Sequence, residues 1–208
     1  MSCGRLVLGF DTAAGHCAAA LIRGDAVLAS ADESMARGQA ERLIPLLEEV
    51  LAAGDADWAG LDALGVGIGP GNFTGIRIAV AAARGLALGL GIPAEGVTAP
   101  EALALGQGKV TVALPAPRGQ VYLAHGGEIV RQAADTTLPD GWPARIVGPG
   151  ADRLTAQAAG VGAPLAASIA RIAAGRAGAG RPRPAPLYLR PAAALPASDP
   201  PPRLIPDL

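Results

Sequence analysis

The sequence predicts an α/β fold, in which a mixed sheet is covered by helices. Three observations support this prediction: a three-strand meander opens the chain, further buried strands follow, and helical segments separate them. A meander is antiparallel, whereas strands separated by helices pair in parallel through crossovers. Together these patterns favour a mixed sheet with helices packed on its faces.

The opening segment is predicted to form three consecutive strands. Residues 5–11 are an apolar run that ends at an acid, which is typical of a buried strand opening onto a site. Residues 17–23 and 26–31 are predicted to be the next strands, and Gly24-Asp25 between them indicates a tight hairpin turn.

Two longer helices are predicted at residues 38–53 and 76–90, with a buried strand at 63–68 between them. On the first helix, the residues that recur at helical spacing on one apolar face are Leu43, Ile44, Leu47, Val50 and Leu51, widened by Leu46. The second helix has an apolar face and another face of small residues, Ala81, Ala82, Gly85 and Gly89. Such a bare face would let a second helix approach closely.

The chain is predicted to have two lobes and a tail: residues 1–98, the smaller unit 99–180, and a proline-rich segment 181–208. A strand at 92–97 and a short helix at 98–105 lead into the second lobe. Its predicted elements are strands at 109–114, 120–124, 128–132 and 144–147 and a helix at 164–176. In the tail, residues 186–190 are the segment with enough apolar content to dock.

Composition limits the classes of partner. The 208 residues are 50% hydrophobic and carry a net charge of -1, so no global field attracts nucleic acid or an anionic membrane. The apolar stretch 76–92 contains Arg84 and several glycines, which favours a packed helix over a membrane span. Cys3 and Cys17 are expected to be reduced in a cytoplasmic protein.

The sharpest local feature is the run GPGNFTG at residues 69–75, between a buried strand and a helix start. Glycines allow close backbone approach, and free N–H groups at a helix start attract anions. The run is neither a Walker A loop nor a G-x-G-x-x-G motif. It therefore predicts either a phosphate or partner-contact loop or a tight turn that needs small residues. The nucleotide or anion candidates are Asp11, Thr12, Gly69, Gly71, Asn72, Thr74, Gly75 and Arg77.

No catalytic or metal-binding set emerges from the sequence. Asp11-Thr12 closes the first predicted strand, and the favoured interpretation is an aspartate that caps its own turn. His16 and His125 lack the spacing of a metal pair and have no evident third ligand. A Ser-His-Asp arrangement cannot be assembled.

Several segments of the chain resemble the bacterial TsaB (YeaZ) family of tRNA threonylcarbamoyladenosine-biosynthesis proteins. The similar segments are LGFDTAAGHCAAAL at residues 8–21, QAERLIPLLEEVL at 39–51 and GIGPGNFTGIRIAVAAARGLALGLGIP at 67–93, with Arg118 to Tyr122 and Pro186 to Arg190. The signature around residues 69–77 is highly specific, with Asn72 where serine is commoner.

The resemblance implies a two-lobed fold of the actin, sugar-kinase and Hsp70 type (ribonuclease H-like) with a reduced second lobe. It implies a non-catalytic partner of TsaD, the transferase that acts with the ATPase TsaE on the adenosine next to the anticodon of tRNA. Contact with tRNA would be indirect, and the chain alone would form a homodimer. A catalytic relative would need a histidine pair on the first helix, where this chain has Gln39, Ala40 and Glu41.

The helices 38–53 and 76–90 are therefore predicted to form the partner surface. The candidate interface residues are Leu43, Leu46, Leu47, Val50, Ile78, Ala82, Gly85 and Gly89. No cofactor is firmly predicted, and ATP or ADP bound at a partner interface is the one possibility that the sequence leaves open.

The sequence leaves two enzymatic alternatives. A small-molecule kinase or carbamoyltransferase of the same fold would use Asp11, Thr12 and the 69–75 loop on ATP. It would also need a second acid and an adenosine-binding Gly-Gly segment, for which Gly126-Gly127 is a weak candidate. For a peptidase, the other alternative, the sequence offers no pairing of a nucleophile with a general base. Fold alone does not choose between an enzyme and a partner protein.

Overall fold

The computed structural model describes residues 4–134, 137–154, 158–159, 164–178 and 182–189. The α/β fold predicted from the sequence is confirmed: helices pack around two five-stranded sheets, one in each lobe. The predictions for Cys3, for Arg190 and for residues 190–208 of the tail lie outside the described residues.

The first sheet has the strand order β3-β2-β1-β4-β5. Its strands are β1 Leu6–Asp11, β2 His16–Arg23, β3 Ala26–Ser34, β4 Ala63–Gly67 and β5 Ala94–Val97. β1 pairs antiparallel with β2 and parallel with β4, and β4 pairs parallel with β5. The sheet is therefore mixed, as the meander and the crossover strands predict.

Three long helices cover this sheet. They are α1 Gln39–Ala53, α2 Phe73–Leu90 and α4 Leu165–Arg176. The inward side chains of α1 and α2 join one core with alternate residues of β1, β2 and β4. The alanines of α4 pack on the opposite face. The sheet is thus buried on both faces, which explains why its central strands are continuous apolar runs.

Paired glycines on β1 and β4 allow α4 to approach the sheet closely. Gly9 and Gly65 are neighbours in the parallel register. A Cβ built on Gly9 would lie 2.4 Å from the carbonyl oxygen of Ala166, and one on Gly65 would lie 2.9 Å from Cβ of Ala173. By sequence position α4 falls in the predicted second lobe, 99–180, but most of its contacts are with the first sheet.

The second sheet has the order β10-β9-β6-β7-β8. Its strands are β6 Thr111–Pro115, β7 Gln120–His125, β8 Glu128–Ala133, β9 Ile146–Val147 and β10 Ala158–Ala159. The short helix α3, Ala99–Ala104, packs between β6 and α4 and so connects the lobes.

The helix boundaries follow from their caps. α2 begins at Phe73, three residues before the predicted start, because Asn72 accepts hydrogen bonds from the backbone N–H groups of Thr74 and Gly75. α3 begins after Thr98, whose side chain forms a capping box with Glu101. β10 was not predicted, because two residues carry no periodic signal.

Candidate functional site

The carboxyl ends of β1 and β4 bring the two sequence-predicted motifs together. The strands are parallel neighbours, so Asp11-Thr12 and the loop that begins at Gly69 emerge at the same edge of the sheet. Ligands in open α/β sheets bind at this kind of edge. The contacts between the motifs therefore decide what the edge can hold.

The turn after β1 fills the space against the glycine-rich loop. Thr12 Oγ1 donates to the carbonyl oxygen of Gly75 at 2.6 Å, and the N–H of Asn72 donates to the carbonyl oxygen of Ala13 at 2.6 Å. A Cβ on Gly75 would lie 1.9 Å from the carbonyl oxygen of Thr12, and one on Gly71 2.3 Å from that of Ala13. Glycine at positions 71 and 75 thus allows the backbone of Thr12 and Ala13 to pack directly against the loop.

The start of α2 is capped from within. Asn72 Oδ1 accepts from the N–H groups of Thr74 at 2.9 Å and Gly75 at 3.2 Å, and the N–H of Ile76 bonds the carbonyl oxygen of Asn72. These N–H groups are the ones that an anion would use at a helix start. Gly69 has a φ of 97°, and its carbonyl oxygen accepts from the N–H of Ala99. These contacts favour the tight-turn interpretation, and nucleotide binding at the loop stays a prediction.

Asp11 is buried, with 2% of its surface exposed, and its carboxylate is engaged by local partners. Oδ1 accepts from the N–H of Ala13 at 2.9 Å and lies 2.8 Å from Nε2 of His16. The hydrogen bond to Asp11 raises the pKa of His16; burial opposes this shift, and the charges of Asp11 and Asp32 add to it. The aspartate therefore caps its own turn, as the sequence favoured, and its histidine partner comes from β2.

Arg77 lies in an exposed cluster that sequence analysis did not assemble. Its guanidinium carbon stacks 3.8 Å above the centre of the Phe73 ring, and Nε donates to the hydroxyl of Tyr188 at 2.8 Å. The rings of Phe73 and Tyr188 are 5.2 Å apart. The signal in the sequence was the apolar content of residues 186–190, of which Leu187 and Tyr188 contact the first lobe.

Half of the predicted interface residues are buried inside the chain instead of lying on its surface. Four of them lie in the core between α1 and the first sheet, at most 3% exposed, and these are Leu43, Leu46, Leu47 and Val50. Their apolar periodicity marks the face of α1 that packs on its own sheet. The remaining four lie on α2, where Ile78 and Ala82 are partly exposed and Gly85 and Gly89 are exposed.

α2 is unusually apolar for a helix with so much exposed surface. Its mean hydropathy is 1.4 over 18 residues, of which 28% are buried, so by length and composition alone it is apolar enough to cross a membrane. Its buried residues include Ile76, Ala79 and Ala83, which pack on the first sheet, as predicted for a packed helix. Arg77 and Arg84 project from its exposed sides. The rest of its surface is a candidate protein interface.

His125 and Cys17 each have surroundings that suit a structural role. His125 Nδ1 lies 2.9 Å from the carbonyl oxygen of Val110, and Cys17 is a buried free thiol. Within the described ranges, no group of three His, Cys, Asp or Glu side chains is placed to hold a metal ion.

Comparisons with known proteins agree with this fold. The family model described as TsaD: tRNA N6-adenosine threonylcarbamoyltransferase matches residues 28–188. An uncharacterized protein of Mycobacterium tuberculosis is 36% identical over 196 residues, covering 88% of this chain and 91% of that protein. The tRNA threonylcarbamoyladenosine biosynthesis protein TsaB of Escherichia coli is 34% identical over 124 residues, covering 57% of this chain and 53% of that protein.

A solved structure extends the likeness to most of the chain. YeaZ from Pseudomonas aeruginosa superposes with a TM-score of 0.70 and 26% identity, covering 89% of this chain and 100% of that one. The actin and sugar-kinase type of fold implied by the sequence signature is therefore confirmed. By the family model and these relatives, the chain belongs to the TsaD-type threonylcarbamoyltransferase family, and within it is a homologue of TsaB (YeaZ).

Proposed function

We propose that this chain is a non-catalytic partner of a TsaD-type threonylcarbamoyltransferase, acting in the cytoplasm on the adenosine next to the anticodon of tRNA. Its homologues named TsaB are threonylcarbamoyladenosine-biosynthesis proteins. The observation that carries the partner role is the exposed apolar face of α2. TsaE would join the complex as a further component, and tRNA would be contacted through the complex.

The small residues on α2 support a closely approaching helix. Ala82, Gly85 and Gly89 follow Ile78 along one side, and a Cβ on either glycine would meet nothing within 4 Å. The fold of the single chain therefore does not need glycine there. Each glycine in a helix interior costs about 1 kcal/mol relative to alanine. A partner helix that needs the space explains why alanine is not used, because the distance between packed helices depends on the side chains at the contact.

The arrangement at the carboxyl edge of the first sheet supports a partner over an enzyme. Asp11 is occupied by His16 and its own turn, and the backbone of Thr12 and Ala13 fills the glycine-rich loop. A kinase would need that carboxylate and loop to face a nucleotide. No described contact favours the kinase or carbamoyltransferase alternative.

Size-exclusion chromatography with light scattering tests the proposal. This protein is mixed with the TsaD-type protein of the same organism, with and without ATP, and compared with the variants Ala82→Arg and Gly85→Arg. A one-to-one complex that both substitutions abolish is the expected result. Because the same face would serve a homodimer, both variants are also expected to be monomers when alone.

Gly175→Arg is the matched control. Gly175 is an exposed helical glycine on α4, and a Cβ there also meets nothing within 4 Å. This variant should still form the complex. The proposal fails if the wild type forms no complex at micromolar concentration, or if the control disrupts it equally; phosphotransfer by the chain alone would then be measured.

A further inference from the structure

A groove of about 630 Å³ lies at the amino edge of the first sheet, opposite the edge that holds Asp11. Residues just before β1 and β4, Arg5 and Asp62, form part of its floor, together with the start of β5. The last turns of α2 form one wall, and the tail at Arg183 and Pro184 forms another. The α2 residues proposed to contact a TsaD-type partner do not line this groove; they are Ile78, Ala82, Gly85 and Gly89.

Positive charge dominates the side chains that face the groove. Arg84 and Arg183 make no hydrogen bond or ion pair with any residue that the structure describes, and both are exposed. Arg5 is fixed by its Nη1, which donates to the carbonyl oxygen of Ala174 at 2.7 Å. The acids are Asp62, whose Oδ2 accepts from the N–H of Leu6 at 2.7 Å, and Glu95, which is 3% exposed. The groove therefore offers two uncommitted guanidinium groups at its rim.

The same groove contains an exposed leucine. Leu88 lies one helical turn after Arg84 on α2, lines the same groove and is 76% exposed. Burying a leucine side chain stabilises an association by roughly 1.5–3 kcal/mol. Arginine is enriched at the energetic centres of protein interfaces. The groove thus offers a partner both an apolar contact at Leu88 and positive charge at Arg84 and Arg183.

We propose that this groove binds an acidic protein segment that carries an apolar side chain. Carboxylates on the segment would pair with Arg84 and Arg183, since guanidinium groups match carboxylates through two parallel hydrogen bonds. The apolar side chain would cover Leu88. A nucleic-acid strand fits less well, because a phosphate backbone gains nothing from covering an exposed leucine.

Fluorescence anisotropy with designed probes tests the inference on the full chain. The probe is a fluorescein-labelled glutamate-rich peptide with one central leucine. Its matched controls replace the glutamates with lysine or the leucine with serine, and a labelled oligouridine represents RNA. The glutamate-leucine peptide should bind one to one and weaken as salt is added, because the contacts are charged.

Substitutions locate the site. The double variant Arg84→Glu with Arg183→Glu should weaken binding of the glutamate-leucine peptide by about tenfold or more. Leu88→Ser should lower the affinity for this peptide by the same factor as replacing the peptide's leucine with serine lowers it for the wild type. Arg131→Glu, a reversal at an exposed arginine on β8, should leave it unchanged. Circular dichroism would confirm that the variants fold, and Arg84→Gln provides a milder change.

Three results would overturn the inference. They are no binding of the glutamate-leucine peptide to the wild type, equal binding of the lysine peptide, and binding that the double reversal leaves intact. Tight binding of oligouridine that the double reversal abolishes would also overturn it, and would assign the groove to RNA. This test is independent of the proposed function, because the complex with the TsaD-type protein is tested with other variants, Ala82→Arg and Gly85→Arg.

Discussion

His16 Nε2 lies 2.8 Å from Oδ1 of Asp11, and this contact joins the start of β2 to the end of β1. The other ring nitrogen of His16 lies 3.4 Å from Oδ1 of Asp32 on β3. The imidazole is therefore held between two carboxylates, and the hydrogen bond to Asp11 is the main cause of its raised pKa. Its raised pKa means that this contact stabilises the folded state most when the imidazole is protonated.

The raised pKa of His16 predicts how stability varies with pH. A group whose pKa is higher in the folded state stabilises that state fully below its unfolded pKa of 6.5. This contribution is lost as the pH rises through the higher, folded pKa. We expect His16→Gln to reduce the free energy of unfolding more at about pH 5.5 than at about pH 8.

Urea unfolding of both proteins across this range measures the effect. Titrating groups that do not contact His16 cancel in the difference between wild type and variant, because both proteins contain them in the same surroundings. A difference in unfolding free energy that is independent of pH would show that His16 keeps the same charge in both states. Such a result would contradict the prediction.

Gly75→Ala is predicted to destabilise the protein by about 1–3 kcal/mol or more. The new Cβ would lie 1.9 Å from the carbonyl oxygen of Thr12, which is backbone and cannot rotate away. The displacement would also disturb the hydrogen bond from Thr12 Oγ1 to the carbonyl oxygen of Gly75. Chemical denaturation monitored by circular dichroism measures the loss.

Gly85→Ala on the same helix is the matched control, and it should have the opposite sign. A Cβ at Gly85 meets nothing within 4 Å, so alanine should stabilise the chain by about 0.5–1 kcal/mol through its higher helix propensity. If both variants were equally destabilised, the glycines would be required by the helix itself rather than by contact with the Asp11–Ala13 turn.

Cys17 is predicted to be unreactive in the folded protein. Burial is the main cause that raises the pKa of its thiol to about 11, so little thiolate is present near neutral pH. In a Cys3→Ser background, Ellman's reagent should label Cys17 only as fast as the protein opens. Full labelling should follow on adding denaturant. Rapid stoichiometric labelling of the native protein would disprove the buried environment.

Sequence patterns located the helices but could not say what covers them. The apolar spacing of Leu43, Leu47 and Val50 identifies the buried face of α1 equally well whether its own sheet or a partner covers it. That choice depends on tertiary packing, which placed these residues against the first sheet. The small residues Gly85 and Gly89 give a different signal, because the fold of the single chain makes no use of them.

The candidate site shows the same division between local and distant information. The cap of Asn72 on α2 is encoded within three residues, and a capping motif could have placed the helix start correctly. Position 75 needs glycine because the backbone of Thr12 lies against it. Thr12 is distant in sequence, and the parallel pairing of β1 and β4 brings it there. Spacing alone therefore left the loop open between a ligand site and a tight turn.

The contact of Tyr188 with Arg77 predicts that one side chain anchors the tail. The N–H of Leu187 donates to the carbonyl oxygen of Ile68 at 2.9 Å, so exchange of this amide with solvent reports on docking. We expect Tyr188→Ala to speed its hydrogen exchange by about tenfold, because local opening becomes easier when both the ring contact with Phe73 and the hydrogen bond to Arg77 are removed.

Tyr188→Phe separates the two contributions, since it keeps the ring and removes the hydroxyl that accepts from Arg77 Nε. Its exchange rate should lie between those of the wild type and Tyr188→Ala. Amide exchange within β1 serves as the internal reference and should not change in either variant. If the Leu187 amide exchanged at the wild-type rate in Tyr188→Ala, the tail would be held by Pro184 and the backbone bond to Ile68, and the aromatic cluster would be free to serve another contact.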